Sequence, residues 1–208
     1  MMKACLIAIV GGSGSGKSWL AAHLESALAP SAALVSLDDF YLDNSHLPPG
    51  RRALRNFDHP QALDWDELAR VLKRLRRGQP ARVPRYDFAT HTRGPRGRRL
   101  HALPVVLVEG ILALHQPALR ELFDLSVFVS CAADLRLERR LARDVATRGR
   151  QPDDVHRQFH EQVQPMHERY VEPQRKWADL VLEPPIGTRE VRRIAKAIRQ
   201  LVARFAIS

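Results

Sequence analysis

The sequence predicts an α/β fold in which a parallel β-sheet carries helices on both faces. The continuous apolar run at 5–10 is typical of a strand that is buried on both faces. The segment 105–114 is predicted to be another buried strand with a charged end, and 125–130 a further strand. Segments with helical apolar spacing alternate with these runs, as the crossovers of a parallel sheet require. The 208 residues, 45% of them hydrophobic, are enough for one domain with a buried core, which we expect to span 1–208.

The first half of the chain follows this alternation until a hairpin interrupts it. The predicted elements are strand 5–10, helix 17–28, strand 33–37, an irregular proline-rich segment 42–60 and helix 64–78. Asp64 can cap the last of these helices, with Glu67 at the capping-box position, and Gly78 ends it. Residues 81–103 are then expected to form a hairpin with its turn near 93–97, outside the main sheet.

The second half returns to strands and helices. The predicted elements are strand 105–114, strand 125–130, helix 134–149, a helix over 154–171 interrupted near Pro165, strand 178–183 and helix 188–205. Proline removes a backbone donor, which is the reason for expecting an interruption at that position.

Composition and charge limit the possible partners. The net charge of +10 is compatible with binding nucleic acid or with handling small polyanions. The basic residues are spread through helices and loops, and aromatic residues make up only 6% of the chain, so we expect no nucleic-acid partner. The first apolar stretch, "ACLIAIV" at 4–10, has only seven residues, which predicts neither a signal peptide nor a membrane anchor. Cys5 and Cys131 lie in apolar runs and are expected to be free thiols, in agreement with a cytoplasmic location.

The most specific motif is "GGSGSGKS", which fits G-x-x-x-x-G-K-[ST] between a predicted strand and a predicted helix. Consecutive backbone amides must approach phosphate oxygens closely here, and side chains would block that approach. The motif predicts a nucleotide-phosphate site with Lys17 on the β- and γ-phosphates and Ser18 on Mg²⁺. The residues assigned to it are Gly11, Gly12, Ser13, Gly14, Ser15, Gly16, Lys17, Ser18 and Trp19. A purely structural glycine turn is the alternative.

Carboxylates follow two of the predicted strands at the edge where ligands bind in such sheets. Glu109 can reach a magnesium ion at the phosphate loop, or it can simply cap a helix. Asp38 and Asp39 can start a turn, or one of them can face an acceptor hydroxyl, since side chains alternate in an extended segment. An alcohol has a pKa of about 15.7 and an aspartate a pKa of about 3.9, so removing the proton before the reaction would be very unfavourable. Such an aspartate is therefore expected to orient the hydroxyl and to accept its proton late.

Arginines recur on one face of the helix predicted at 134–149. Arg136, Arg140 and Arg143 have i, i+4, i+7 spacing, and Arg148 and Arg150 flank Gly149. They can form a solvated basic face. Alternatively, they belong to a lid that closes guanidinium groups onto a transferring phosphate and excludes water.

Taken together, these motifs resemble those of the uridine–cytidine kinase family. The resemblance covers residues 5 to about 183 and rests on "GGSGSGKS", "DDFY", "NFDHPQALDWDEL", "RVPRYDFATHTR", "VVLVEGILAL", "RRLARDVATRGR" and "VQPMHERYVEPQRKWADLVL". It implies a P-loop NTPase fold with a small hairpin excursion, a nucleoside-binding insertion at about 42–103 and a helical lid at about 140–165. It also implies transfer of phosphate from ATP or GTP, with Mg²⁺, to the 5′-hydroxyl of uridine or cytidine in pyrimidine salvage.

The resemblance also implies roles for individual residues. The implied catalytic residues are Asp38, Lys17 and Arg143, and the implied metal ligands are Ser18 and Glu109. Arg143 and Arg148 match lid arginines that contact phosphate. The implied nucleoside-binding residues are Asp38, Tyr41, Phe57, Asp58, Tyr86, Phe88, His91, Arg140, Arg150 and Gln158. Without the resemblance, Phe57 and Phe88 could equally be core residues, and His91 a surface residue of the hairpin.

Two departures from the family pattern leave questions open. Asp39 stands where the family often has a small residue, and "PPIGTRE" replaces an Arg-Gly-Gly-like loop near the donor base. The donor's base preference is therefore open. A nicotinamide riboside kinase or phosphoribulokinase is the rival within the class, and a basic P-loop NTPase that binds nucleic acid is the rival outside it. The resemblance implies a small-molecule nucleoside as substrate, no membrane partner and a homotetramer.

Overall fold

The structure is a computed structural model that describes residues 3–52 and 54–205. Its strands are β1 (Cys5–Gly11), β2 (Ala32–Ser36), β3 (Ala81–Val83), β4 (Tyr86–Asp87), β5 (Thr92–Arg93), β6 (Arg98–Leu100), β7 (Val105–Gly110), β8 (Leu125–Val129) and β9 (Leu180–Leu182). Its α-helices are α1 (Lys17–Leu28), α2 (Pro49–Arg52), α3 (Trp65–Arg76), α4 (Pro117–Arg120), α5 (Ala133–Arg148), α6 (Pro152–Gln158), α7 (Gln164–Met166) and α8 (Thr188–Phe205). None of the helices in these two ranges is both long enough and apolar enough to cross a membrane.

The main sheet has five parallel strands in the order β2-β7-β1-β8-β9. The predicted parallel sheet with helices on both faces is confirmed. Every residue of β1 and β7, the two most central paired strands, is buried. This agrees with the strongly apolar segments that predicted them.

Alternate residues of the central strand supply the two halves of the core. Leu6, Ala8 and Val10 belong to the cluster that includes the buried face of α3, and Cys5 and Ile9 belong to the cluster that includes α1 and α8. Successive side chains of a strand point to opposite faces, so one apolar strand serves both layers. The parallel register also brings the carboxyl ends of β1, β2 and β7 to one edge.

The hairpin turn lies at 88–91, and the prediction of a turn at 93–97 is wrong. Strand β3 pairs with β6, and β4 pairs with β5, as two short antiparallel ladders. The Asp87 side chain builds the turn by accepting hydrogen bonds from the amide of Ala89 (2.8 Å) and the hydroxyl of Thr90 (2.9 Å). The glycine at 97 instead allows close packing, because a Cβ there would lie 2.4 Å from the carbonyl oxygen of Val83.

The predicted interruption at Pro165 is also wrong, because the chain stays helical from 152 to 177. Two π-helical turns, Phe159–Val163 and His167–Val171, flank α7, and a 3₁₀ turn, Glu172–Trp177, ends the segment. A hydrogen bond from the amide of Gln164 to the carbonyl of Phe159 widens the helix directly ahead of the proline. Such a π-bulge accommodates the proline ring within a continuing helix.

An ion pair joins α3 to the main sheet. Arg76, the last residue of α3, pairs with Asp124 ahead of β8 and also donates to the carbonyl of Leu122 (2.9 Å). The Asp124 carboxylate additionally accepts from the amide of Leu6 in β1 (2.9 Å). Both charged side chains are largely buried, so the pair holds the predicted insertion segment against the sheet.

Removing one partner of this pair should destabilise the fold. We expect Asp124→Ala to lower the free energy of unfolding by about 3 kcal/mol, because it leaves a largely buried guanidinium without its counter-ion. Arg70→Ala, which breaks the solvent-exposed Arg70–Glu67 pair, should change it by less than about 1 kcal/mol. Urea denaturation of both variants checks this, and equal losses would contradict it.

Candidate active site

The loop between β1 and α1 has the backbone conformation of a phosphate-binding loop. Gly14 (φ 80°) and Gly16 (φ 99°) are both left-handed, which a residue with a side chain rarely adopts. Gly16 is the N-cap of α1 and gives that helix no side-chain cap. The first amides of α1 therefore remain available to an anion, which the positive end of the helix also favours.

The main chain of Arg136 and the ring of His167 pack closely against this loop. A Cβ on Gly14 would lie 2.3 Å from the carbonyl oxygen of Arg136, and one on Gly12 would lie 2.7 Å from Nδ1 of His167. Burial, with the nearby Arg136 charge, lowers the pKa of His167 to about 4, so the ring beneath the loop is neutral at pH 7. The Arg136 side chain, 1% exposed, is thus a structural support and not a lid arginine.

Glu109 lies directly beside the loop at the end of β7. Its carboxylate accepts hydrogen bonds from the hydroxyls of Ser18 (3.0 Å) and Ser36 (2.6 Å). Ser36 is the register partner of Glu109 across the sheet, which explains how β2 reaches this carboxylate. Sequence reasoning missed Ser36. The one feature of the sequence that could have indicated a role for it is its position near the end of the predicted strand 33–37, two residues before Asp38.

The Ser18 hydroxyl and the Glu109 carboxylate are the oxygen ligands that Mg²⁺ prefers. Among residues 3–52 and 54–205, no cluster of three or more His, Cys, Asp or Glu side chains could hold a metal ion. Mg²⁺ commonly binds through one or two protein oxygens together with substrate phosphates and water. The residues present fit that mode.

Asp38 and Asp39 lie on a 3₁₀ turn, Leu37–Phe40, and not on an extended segment as expected. Adjacent side chains on such a turn point about 120° apart. Asp38 therefore lines a pocket with Lys17, while Asp39 lies among hairpin groups that include the charges of Arg85 and Arg98. Of the two aspartates, Asp38 therefore faces the phosphate loop and Asp39 does not.

Burial is the main reason why Asp38 holds its proton more tightly than an ordinary aspartate. Desolvation and the Glu109 charge raise the pKa of Asp38 to about 6, against the opposing charges of Lys17, Arg148 and Arg143. The Asp38 carboxylate in turn raises the pKa of the Tyr41 hydroxyl, after the larger effect of burial. At pH 7 the Asp38 side chain is a carboxylate close to its titration range, as suits a proton acceptor.

One pocket at the carboxyl edge of the sheet gathers most of the predicted site residues. It is lined by Ser13, Lys17, Ser18, Asp38, Tyr41, Phe57, Asp58, Phe88, His91, Ile111, Arg140, Arg143, Arg148, Arg150 and Gln158. Of these, only Ile111 was not predicted. Glu109 adjoins the pocket through Ser18. The other predicted residues outside its lining are Gly11, Gly12, Gly14, Ser15, Gly16, Trp19 and Tyr86.

Aromatic rings form one wall of the pocket. Phe57 and His91 stack with their ring centroids 4.8 Å apart. His91 has a positive φ of 54°, and its Nδ1 atom is buried without a hydrogen-bond partner among the described residues. Burial, followed by the charges of Arg150 and Arg148, lowers the pKa of His91. A strained, neutral imidazole with an unused nitrogen is suited to binding the edge of a planar ligand.

Tyr86 supports this wall from behind and does not line the pocket. It is 6% exposed, and its ring contacts those of Tyr41 (centroids 5.3 Å apart) and Phe88 (5.4 Å). Phe88 is 41% exposed, which is typical of a binding surface and not of a core residue. The aromatic cluster is thus buried at Tyr86 and open to solvent at Phe88.

A single buried aspartate gathers the pocket arginines. Asp144 is fully buried in α5, and its carboxylate lies 2.9–3.6 Å from guanidinium nitrogens of Arg140, Arg143, Arg148 and Arg150. Four cations can be held this close only because the anion offsets their mutual repulsion. Sequence reasoning assigned the arginines but missed Asp144, although it lies within the quoted motif "RRLARDVATRGR".

The arginine cluster is also tied to the phosphate loop and to the helix that follows. Arg140 donates to the Ser13 hydroxyl (2.9 Å) and to the side-chain oxygen of Gln158 (2.9 Å), which also accepts from Arg150 (2.7 Å). Burial raises the pKa of Asp58 against the opposing charge of Arg140 and other cations. The predicted lid segment therefore contacts the pocket directly.

Arg93 is a second residue that sequence reasoning missed. Its guanidinium donates to the carbonyls of Tyr41 (2.7 Å) and Phe40 (3.0 Å) and to the Asp64 carboxylate (2.9 Å). The hairpin that carries His91 is thus fixed to the turn that carries Asp38. Arg93 is the last residue of the quoted motif "YDFATHTR", but the sequence analysis assigned it no role.

Comparisons with known proteins agree with this geometry. The Phosphoribulokinase / Uridine kinase family model matches residues 6–191. A protein of Staphylococcus epidermidis named uridine kinase is 42% identical over 192 residues, which is 92% of each chain. A protein of Chloroflexus aurantiacus with the same name is 45% identical over 177 residues, 85% of each chain.

Solved structures agree at the level of the fold. The structure of phosphoribulokinase from Rhodobacter spheroides has a TM-score of 0.64 at 18% identity, covering 87% of this chain and 70% of that one. That similarity confirms the P-loop α/β fold alone. With the family match over most of its length, this chain is a kinase that belongs to the Phosphoribulokinase / Uridine kinase family.

Proposed function

We propose that this enzyme transfers the γ-phosphate of ATP or GTP to the 5′-hydroxyl of uridine or cytidine. The observation that carries the proposal is the shared pocket, in which Asp38 and Lys17 lie beside an aromatic wall and a cluster of arginines. The names of the relatives support uridine as the acceptor. Phosphorylation of free pyrimidine nucleosides places the enzyme in pyrimidine salvage.

The nucleoside is proposed to bind with its base against Phe57 and its base edge on the unpartnered nitrogen of His91. Stacking supplies affinity, and a buried polar atom discriminates against ligands that leave it unpaired. Asp58, partly buried in the same pocket as Arg140, is placed to hold the ribose hydroxyls. This arrangement directs the 5′-hydroxyl toward Asp38.

In the transfer step, the 5′-oxygen forms a bond to the γ-phosphorus while the bond from that phosphorus to the β–γ bridging oxygen breaks. With a pKa of about 6, Asp38 lies about ten pK units below the alcohol, so taking the proton beforehand would cost about 13 kcal/mol. Asp38 therefore orients the hydroxyl and accepts its proton late, as a loose transition state allows. Lys17, Arg143 and Arg148 offset the charge on the transferring group.

Magnesium would be held by Ser18 and Glu109, and when bound it supplies positive charge to the donor phosphates. Ser36 fixes the Glu109 carboxylate for this purpose through its 2.6 Å hydrogen bond. The arginines around Asp144 close the pocket against water, which would compete with the nucleoside as an acceptor.

Compartment and assembly complete the proposal. We place the enzyme in the cytoplasm, since Cys5 and Cys131 are both free thiols. The resemblance to uridine–cytidine kinases supports a homotetramer without a nucleic-acid or membrane partner. The rival acceptors, nicotinamide riboside and ribulose 5-phosphate, are less well matched by a wall that pairs Phe57 with a neutral His91.

Asp38→Asn should keep the affinity for ATP and lower kcat by at least about 100-fold, because an amide cannot accept the proton. Asp39→Asn is the matched control, since Asp39 lies outside the pocket, and should stay within about threefold of wild type. Steady-state kinetics of both variants with uridine measure this. Equal effects of the two substitutions would contradict the role given to Asp38.

The pH profile gives a further readout of the same group. Because burial raises the pKa of Asp38 to about 6, its proton-accepting form is lost as the pH falls through 6. We therefore expect kcat/KM for uridine to fall about tenfold per pH unit below 6 and to be flat above 7. A profile that stays flat down to pH 5 would show that another group accepts the proton.

Asp144 does not line the pocket, so Asp144→Asn should disperse the arginine cluster without removing a direct contact to either substrate. We expect kcat/KM for ATP to fall at least tenfold, a loss of about 1.4 kcal/mol, because Arg143 and Arg148 lose their common anchor. Asp154→Asn, in the exposed pair with Arg157, is the control and should leave the kinetics unchanged. Thermal melting separates lost activity from lost folding, and a fully active Asp144→Asn variant would contradict the anchoring role.

A panel of acceptors tests the proposed reaction as a whole. A coupled ADP-release assay with uridine, cytidine, nicotinamide riboside and ribulose 5-phosphate should give turnover with both pyrimidine nucleosides, dependent on Mg²⁺. Phe57→Ala should raise the KM for uridine by about tenfold, because stacking a base on an aromatic ring contributes about 1–3 kcal/mol. Faster turnover of nicotinamide riboside or ribulose 5-phosphate than of either nucleoside would overturn the proposal.

A further inference from the structure

Asp58, which is proposed to hold the ribose hydroxyls, lies in an irregular part of the chain. It occupies a turn between α2 and the 3₁₀ turn Pro60–Ala62, where its amide donates to the side-chain oxygen of Asn56 (3.0 Å). A residue in such a turn takes its orientation from the side-chain hydrogen bonds of its neighbours, since no ladder of a helix or sheet fixes it. The neighbours of Asp58 therefore decide where its carboxylate lies.

The next residue, His59, is fixed through both nitrogens of its ring. Nδ1 accepts a hydrogen bond from the amide of Gln61 (3.1 Å), which makes His59 the N-cap of the 3₁₀ turn. Because Nδ1 is an acceptor, the neutral ring carries its hydrogen on Nε2. Nε2 lies 3.0 Å from the Tyr170 hydroxyl and donates to it. With both nitrogens engaged, the ring has a single orientation, and the backbone next to Asp58 is held with it.

Tyr170 reaches His59 from the long helical segment at 152–177. Its ring contacts those of His59 (centroids 5.0 Å apart) and His115 (5.8 Å) edge-on. Tyr170 is part of the π-helical turn His167–Val171, and turns of this kind occur frequently at functional sites. The His59–Tyr170 hydrogen bond thus joins the segment that carries Asp58 to the body of the fold.

Gln174 gives Tyr170 a rigid base. Its fully buried side chain donates to the carbonyls of Tyr170 and Ile111 (both 2.8 Å) and accepts from the amide of Leu114 (2.9 Å). Ile111 lines the nucleoside pocket and follows Glu109 by two residues. Tyr170 is therefore fixed to the stretch of chain that leads directly from the end of β7 into the pocket.

The same π-helical turn also contacts the phosphate loop. His167, three residues ahead of Tyr170, lies so close to Gly12 that a Cβ there would be 2.7 Å from its Nδ1. One helical turn thus contacts the loop proposed to bind the donor and, through Tyr170, the segment proposed to bind the acceptor. Loss of the His59–Tyr170 hydrogen bond should release the acceptor segment and leave the loop unchanged.

We infer that His59 is a positioning residue for the acceptor, and that its hydrogen bond to Tyr170 sets the Asp58 carboxylate against the ribose hydroxyls. His59 does not line the pocket, so it acts through its neighbour and not by contact with the nucleoside. A site built to hydrogen-bond a hydroxyl rejects the analogue that lacks it, provided that the protein partner is held in place. His59 therefore also determines how strongly the enzyme prefers ribonucleosides to 2′-deoxyribonucleosides. The inference rests on the proposed function.

Substitutions at both ends of the hydrogen bond test this inference. His59→Ala should raise the KM for uridine about tenfold and Tyr170→Phe about threefold, which is the range expected for lost hydrogen bonds. The KM for ATP should stay within about twofold of wild type in both variants, because the phosphate loop is untouched. His59→Gln, whose amide can still donate to Tyr170, should recover most of the affinity for uridine. An unchanged KM for uridine in both variants, or an equal rise in the KM for ATP, would overturn the inference.

The 2′-hydroxyl gives a readout that a merely structural role would not change. In His59→Ala, the Ki of 2′-deoxyuridine, measured as a competitor of uridine, should rise at least about threefold less than the KM for uridine, because this ligand offers Asp58 one hydroxyl fewer. His101→Ala is the matched control and should leave both constants unchanged, since His101 is an exposed residue of the same predicted insertion and does not line the pocket. Equal rises for the two nucleosides would contradict the role given to His59.

A double-mutant cycle shows whether the two residues act as a pair. The double variant His59→Ala/Tyr170→Phe should have the same KM for uridine as His59→Ala alone, because the second substitution removes no further interaction. Additive effects would refute the pairing. Tyr170→Phe keeps the ring and its contacts, so this variant carries the test if His59→Ala does not fold.

Wild-type kinetics keep this inference distinct from the proposed function. Turnover of uridine by the wild-type enzyme, with unchanged constants in both single variants, would refute the positioning role alone. An enzyme that turns over neither uridine nor cytidine would refute the proposed function and, with it, this inference.

Discussion

The catalytic geometry depends on a stretch of main chain that must stay free of side chains. Between β1 and α1, the loop packs so closely on Arg136 and His167 that a Cβ at Gly14 would overlap a carbonyl oxygen at 2.3 Å. That packing fixes the loop, and the left-handed Gly16 leaves α1 uncapped. The result is a rigid array of amide donors, built before any ligand binds, which favours an anion at a single position.

Ion pairs and hydrogen bonds position the charged side chains that face the amides of the phosphate loop. Asp144 holds the arginines together, and Ser36 holds Glu109, while Asp38 lines the pocket together with Lys17. Asp144 is fully buried and Ser36 is partly buried, and their contacts leave the reacting groups little freedom to rearrange. Preorganised charges of this kind cost no reorganisation during the reaction, which is why they can stabilise a transferring phosphate effectively.

Sequence patterns predicted most of this arrangement, and the exceptions have physical reasons. Uninterrupted apolar strands and a glycine-rich motif locate the sheet edge and the loop, since both follow from local chemistry. Ser36, Asp144 and Arg93 could not be assigned roles, because each acts through partners brought together by sheet register, a helical turn or a distant hairpin. The hairpin turn was misplaced because the Asp87 side chain builds it without glycine, and Pro165 was misjudged because a π-bulge absorbs the ring.

The central claim is that an acceptor hydroxyl meets the donor phosphate at Asp38. A crystal structure of the enzyme with a non-hydrolysable ATP analogue, Mg²⁺ and uridine tests it most directly. The account predicts a 5′-oxygen within about 3 Å of the Asp38 carboxylate and in line with the γ-phosphorus. A nucleoside bound with that oxygen beyond the reach of Asp38, or nearer to Asp39, would contradict it.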